Sequence, residues 1–249
     1  MMNAFFNWRI FVGLVLVVLS ALVYFIHFLF FRDAHHIFIF FVGDIAFVFI
    51  EVLLVTMIID KLLHEREKQS LLHKLNMIVG LFFSELGREL LGRLSTFYTD
   101  VEKIRSDFLV TERWSGEDFK TLEKRLGTID YLMDSRKGDL KGLRDFLVMK
   151  RNFMLRLMEN PNLLEHEDFT DLLWSIVHLI DELMFRKNLE TLSEADYTHL
   201  SVDLKRAFAR LVRGWMRYMA HLKKDYPYLF HLALRTNPFD PDASPEIKD

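Results

Sequence analysis

Residues 10–59 read IFVGLVLVVLSALVYFIHFLFF-RDAHH-IFIFFVGDIAFVFIEVLLVTMII. The first run, 10–31, carries no charged side chain and exceeds the about 20 apolar residues that span a bilayer core. The second, 37–59, is as long and carries two acids, Asp44 and Glu51. Only Arg32-Asp33-Ala34-His35-His36 separates them, which predicts a tight antiparallel hairpin of two transmembrane helices. The first run is too long for a signal-peptide core, and no small-x-small cleavage site precedes the second, so a secretory leader is not expected.

The rest of the 249-residue chain is compositionally different. Twelve of its 24 Phe fall between Phe5 and Phe49, so the excess of apolar residues belongs to the hairpin. A net charge of -3 offers no basic footprint for nucleic acid. With no Cys there is no disulfide, thiolate zinc site or cysteine nucleophile. Of only five Pro, three (Pro238, Pro241, Pro245) sit at the end, which leaves little turn chemistry for a β-rich body. The fold class expected is all-α: a transmembrane hairpin over 1–59, a long helix continuing over 60–110, a helical cytoplasmic domain over 111–235 and an acidic tail over 236–249 that is loose except where Phe239 can dock.

Orientation follows the Lys/Arg bias. Arg9 precedes the first span, and Lys61, Arg66 and Lys68 follow the second, against Arg32 alone in the loop. Both termini are expected in the cytoplasm, with the hairpin in the plasma membrane and Trp8 as an interfacial anchor.

Asp44 and Glu51 are seven residues apart, so on a helix they share one stripe roughly 10 Å apart along the axis. Each lies only about 4 to 6 Å from the middle of the span, near Val48. An ionised acid facing lipid there would cost roughly 2.5 to 3.5 kcal/mol. His27 on the first span is a candidate partner for Asp44 but sits too near the loop for Glu51. A homo-oligomer that turns the stripe to a common axis resolves the conflict, and stacked carboxylates are how many cation pathways are built. Val55 and Ile58 would then form an apolar constriction. Alternatively, a protonated acid glues helices together with no pore. Gly43 and Ala46 offer a small patch for close helix packing.

From Asp60 to about Phe108, apolar residues recur at Leu75, Val79, Phe82, Leu86, Leu90, Leu94, Phe97, Val101, Ile104 and Phe108, the spacing of one helical face. Further helices are read from caps: Ser115 to about Ser135, Asp139 to about Asn160, Asp168 to Leu189, Ser193 to about Lys224, and Tyr226 to Arg235. Glu165-His166-Glu167-Asp168 reads as a capped helix start. His178, Asp181 and Glu182 share a face at ligand spacing, but no second helix of that kind is visible, so neither metal nor cofactor is expected. Arg206, Arg210, Arg213 and Arg217 form a basic stripe, either salt-bridged or a contact for a protein partner or lipid head group. No phosphate loop or nucleophile elbow appears, and enzymatic activity is not expected.

Residues 42–68 (VGDIAFVFIEVLLVTMIIDKLLHEREK) and 215–241 (WMRYMAHLKKDYPYLFHLALRTNPFDP) resemble those of an uncharacterised group of prokaryotic membrane proteins. That resemblance implies two spans with a helical cytoplasmic part and brings no activity. A looser likeness is to the mitochondrial calcium uniporter, a two-span oligomer with a Trp-Asp-x-x-Glu-Pro motif. Here Asp44 and Glu51 are two turns apart with neither Trp nor Pro beside them, so calcium selectivity is not implied. The expected function is an oligomeric membrane pathway for cations or protons. The alternatives are a non-conducting anchored adaptor or signalling scaffold, and an effector that permeabilises its own membrane.

Overall fold

The computed structural model describes residues 2–100, 108–163 and 166–246, with the side chains of all of these but residues 2–7, 9 and 162. The chain divides into two compact units, Met1–Lys68 and Gln69–Asp249. No described residue belongs to a β-strand; the one extended pairing is an isolated bridge between Tyr98 and Met133.

In the first unit both apolar runs are helical, as α1 (Met2–Phe31) and the start of α2 (Ala34–Phe82). The link is tighter than the five residues read from sequence. Arg32 adopts a left-handed conformation (φ 48°), and its N–H donates to Phe28 O at 2.8 Å, which closes α1. Asp33 Oδ1 accepts from the His36 N–H at 3.1 Å and so caps α2. Among the described residues two helices are long and apolar enough to cross a membrane, with windows of mean hydropathy 2.7 and 2.6, neither of them buried in the chain.

The second unit departs from the long helix expected over 60–110. Helix α2 stops at Phe82, a wider π turn covers Phe83–Gly87, and α3 spans Arg88–Ser95. The Arg88 N–H donates to Phe83 O, five residues back, which is the π hydrogen bond. At the end of α3, Ser95 Oγ and Thr96 Oγ1 donate to the carbonyls of Gly92 and Arg93 at 2.7 and 2.8 Å. Such back-bonding offers the backbone an alternative to further helix. The Thr99 N–H then donates to Leu132 O, and the Asp134 N–H to Phe97 O, both at 2.9 Å. Val101 and Ile104 of the expected face lie outside the described residues.

Side-chain caps start the helices that follow. Ser115 and Asp118 form a reciprocal capping box on α4 (Gly116–Leu126), which ends well before Ser135. Asp139 caps α5 (Leu140–Met158), and Pro161–Leu163 make a 3₁₀ turn. His166 Nδ1 accepts from the Phe169 N–H at 3.1 Å to cap α6 (Glu167–Phe185); Glu165, read as part of that cap, lies outside the described residues. Ser193 caps α7 (Glu194–Asp225), and Pro227 opens α8 (Pro227–Arg235).

Helix α7 organises the core. Leu200, Leu204, Phe208, Leu211, Trp215, Met219 and Leu222 recur at steps of three and four and are all buried. This stripe packs α7 against α6, α4, α3 and α8, while α5 packs on α6. The expected loose tail is anchored at its start. Asn237 and Phe239 are buried, the Phe239 ring lies 5.4 Å from that of Phe108, and Asn237 Oδ1 accepts from the Phe239 N–H at 3.1 Å.

Candidate functional site

The two acids of the second apolar run lie on α2, both exposed on the single chain. Asp44 is held by a residue that sequence reasoning misses: Tyr24 Oη donates to Asp44 Oδ2 at 3.3 Å. His27 takes another place, with its ring 4.7 Å from Phe31 and stacked 6.0 Å from His36. The two-residue link explains the difference. Asp44 lies about three turns beyond that link and His27 less than two turns before it, so Tyr24, about one turn further back, reaches the level of Asp44. Glu51 has no hydrogen-bond or ion-pair partner among the described residues. Val55 and Ile58 are exposed.

The arginine stripe of α7 is largely paired. Arg206 Nη1 donates to Asp203 Oδ1 at 2.7 Å, and Arg210 Nη2 to Asp171 Oδ2 at 3.0 Å. Arg217 joins three helices, donating to Glu123 of α4 at 2.6 Å and to Asp168 of α6. Arg213 is half-buried beside a cleft of about 220 Å³ that Arg210, Arg217, Asp168, Asp171 and Tyr218 also line. Acids and bases both line this cleft, which suits internal pairing.

The hydrogen bond from Arg217 holds the Asp168 carboxyl below its ordinary range, with the charges of Arg217, His166 and Arg213 adding to it. The unfolded chain therefore takes up this proton first. The stabilisation is complete above the unfolded carboxyl value of about 4 and is lost as pH falls through the lower folded value. Both side chains are about half exposed, which limits the pair to under about 1 kcal/mol. Arg217→Gln is expected to lower stability by up to about 1 kcal/mol at neutral pH, with the gap to wild type narrowing towards about pH 3. Urea titrations across that range would measure it; a gap that stays constant would remove Asp168 from the account.

A second constellation joins α6 and α7. His178 and Glu182 are one turn apart on α6, and His199 and Asp203 one turn apart on α7. One ligand atom from each lies within 4.8 Å of all the others. Asp203 Oδ2 is 3.4 Å from His178 Nε2 and 3.2 Å from His199 Nε2, while Glu182 Oε2 is 3.4 Å from His199 Nε2. Asp203 is buried to 2% exposure and its Oδ2 has no hydrogen-bond partner. Arg186 donates to Glu182 Oε2 at 2.5 Å and is itself held by Asp196 at 3.2 Å.

Two family models cover most of the chain. One, described as the N-terminal helical domain of MJ1433, matches residues 3–63; the other, described as "Uncharacterized protein MJ1433, C-terminal helical domain", matches residues 71–235. The chain belongs to the MJ1433 family. It is 44% identical over 234 residues to "Uncharacterized protein MJ1433" of Methanocaldococcus jannaschii, with 94% of each chain covered. No solved structure matches the chain.

In the MJ1433 family's terms, Asp44, Glu51 and Tyr24 fall in the N-terminal helical domain, while the arginine stripe and the His/carboxylate group fall in the C-terminal one. The second ligand-bearing helix, not seen in the sequence, is α7. Its signal was His199-x-x-x-Asp203 on one helical face, the same spacing as His178-x-x-x-Glu182. Asp181, grouped with them from sequence, stays outside the constellation.

Proposed function

We propose that this chain is a two-span integral membrane protein, non-enzymatic and homo-oligomeric, with both termini cytoplasmic. In this reading Glu51 lies on the shared axis and carries a pathway for cations or protons, with Val55 and Ile58 as the constriction below it. The observation that carries the proposal is Glu51: an exposed acid in an apolar helix, with no partner in its own chain among the described residues. In a bilayer such a group must be covered by another copy or by water, since ionised contact with lipid costs roughly 2.5 to 3.5 kcal/mol.

The Tyr24–Asp44 hydrogen bond favours a second reading, a non-conducting anchor or scaffold. Asp44 already has a donor within the hairpin, and Glu51 alone would then glue copies together.

Ion flux into liposomes carrying the full-length protein separates the two. The pathway reading expects Glu51→Gln to reduce flux at least about tenfold, as for the loss of a lining carboxylate. A silent wild type whose detergent oligomer dissociates on Glu51→Gln would favour the anchor. Equal flux and equal oligomer mass in both proteins would end both roles for Glu51.

A further inference from the structure

We infer that His178, Glu182, His199 and Asp203 bind a divalent transition-metal ion, with zinc as the best-fitting class. The argument starts from donor chemistry. Two imidazole nitrogens and two carboxylate oxygens converge from facing helices, each helix supplying a His and an acid one turn apart. Imidazole with carboxylate suits zinc and its first-row neighbours rather than magnesium or calcium, which take oxygen.

The spacing agrees with a coordination shell. With zinc–ligand bonds of about 2.0 to 2.2 Å, the donor atoms of a tetrahedral site lie roughly 3.3 to 3.6 Å apart. Three of the six separations fall near that range: Asp203 Oδ2 is 3.4 Å from His178 Nε2 and 3.2 Å from His199 Nε2, and Glu182 Oε2 is 3.4 Å from His199 Nε2, with all four donors within 4.8 Å of one another. Charge-assisted hydrogen bonds would be shorter, about 2.7 to 2.9 Å. Glu182 Oε1, 3.9 Å from His178 Nε2, is the loosest arm.

The second, independent observation is the buried carboxylate. Asp203 Oδ2 faces two imidazole nitrogens yet has no hydrogen-bond partner, at a position only 2% exposed. Native proteins rarely leave such an atom unsatisfied, and a bound ion or water commonly explains one. The other oxygen of the same carboxylate is occupied, since Oδ1 accepts from Arg206. Arg186 donates to Glu182 Oε2 itself, the oxygen that faces His199, and leaves that oxygen's second lone pair for the ion. Outer partners of this kind orient metal ligands. The side chains of His178 and His199 are 45% and 51% exposed, so the site opens to solvent on one side, which gives an ion an entry path and leaves room for a water ligand.

This inference stands apart from the pathway reading, because binding is measured whether or not the protein conducts. Chelator-stripped full-length protein in detergent would be titrated with zinc against a chromophoric chelator. One zinc per chain is expected. His178→Gln/His199→Gln should weaken it at least about a hundredfold. Asp203→Asn, which keeps its size, should weaken binding with helicity unchanged by circular dichroism. Cobalt in place of zinc should give the intense visible bands of a tetrahedral nitrogen/oxygen site. The histidines near the hairpin link are the rival, and His27→Gln/His36→Gln should still bind one zinc. Absence of saturable zinc binding, undiminished affinity in the His178/His199 variant, or zinc lost through the His27/His36 variant instead would overturn the site.

Discussion

Phe83→Ala is expected to destabilise the unit Gln69–Asp249 by about 3–5 kcal/mol, among the larger costs of a single core truncation. Phe83 opens the π turn and is fully buried. Its ring lies 5.2 Å from Tyr218 and 5.4 Å from Trp215 on α7, and 5.1 Å from its neighbour Phe82, which meets Phe169 of α6 at 5.3 Å. Truncation removes the ring's own transfer energy and opens a cavity among side chains that are themselves immobilised by packing. Each aromatic pair that Phe83 makes adds a further ~0.5–1.5 kcal/mol beyond area burial. In a domain of this size the loss corresponds to a fall in Tm of roughly 6–20 °C. Thermal unfolding followed by near-UV circular dichroism, which reports this aromatic cluster directly, is the measurement. A shift of under about 2 °C would mean that the cluster is not the centre of the core.

Gly87→Ala is the second large effect, and its sign runs against helix propensity. In an ordinary helix the change would gain about 1 kcal/mol. Here a Cβ at position 87 would stand 2.4 Å from Phe83 Cδ1 and 2.9 Å from Phe82 Cε1. Neither ring is free to move aside, because both are fully buried. Overpacking of this kind costs about 1–3 kcal/mol, so a net loss is expected. A double-mutant cycle isolates the cause. In the Phe83→Ala background the nearest obstruction is gone and the cavity gives Phe82 room to shift, so the penalty of Gly87→Ala should shrink. An equal penalty in both backgrounds would place the clash elsewhere.

These two predictions sit where sequence and structure part company. The steps of three and four from Leu75 to Leu94 mark one face, and Leu75, Phe82, Leu86, Leu90 and Leu94 are indeed buried. They do not show that Phe82 and its neighbour Phe83 are both buried. In a regular helix adjacent residues point about 100° apart, and a π turn at this place brings both inward. The early end of α3 is equally hidden, since it depends on a pairing between Tyr98 and Met133 that local spacing does not carry.

The candidate sites follow the same division. Asp44 and Glu51 are legible as acids in an apolar run, because their setting is covalent and local. Tyr24 is not legible as the partner of Asp44, because that contact depends on the register set by Arg32 and Asp33. His178 and Glu182 have ligand spacing in the sequence but lack a visible second helix. His199 and Asp203 supply it only once α6 and α7 are packed together.

By itself the sequence determined the helical class, the two apolar N-terminal helices, most of the capped helix starts and the buried face from Leu75 to Leu94. Each of these depends on residues within a turn or two of one another, where spacing and capping chemistry act directly. Only the tertiary structure decided which side chains meet across helices: Tyr24 with Asp44, Phe83 with Trp215 and Tyr218, and the four ligand-type residues of α6 and α7. Such meetings are set by the crossing and register of packed helices, and the period of a single helix contains neither.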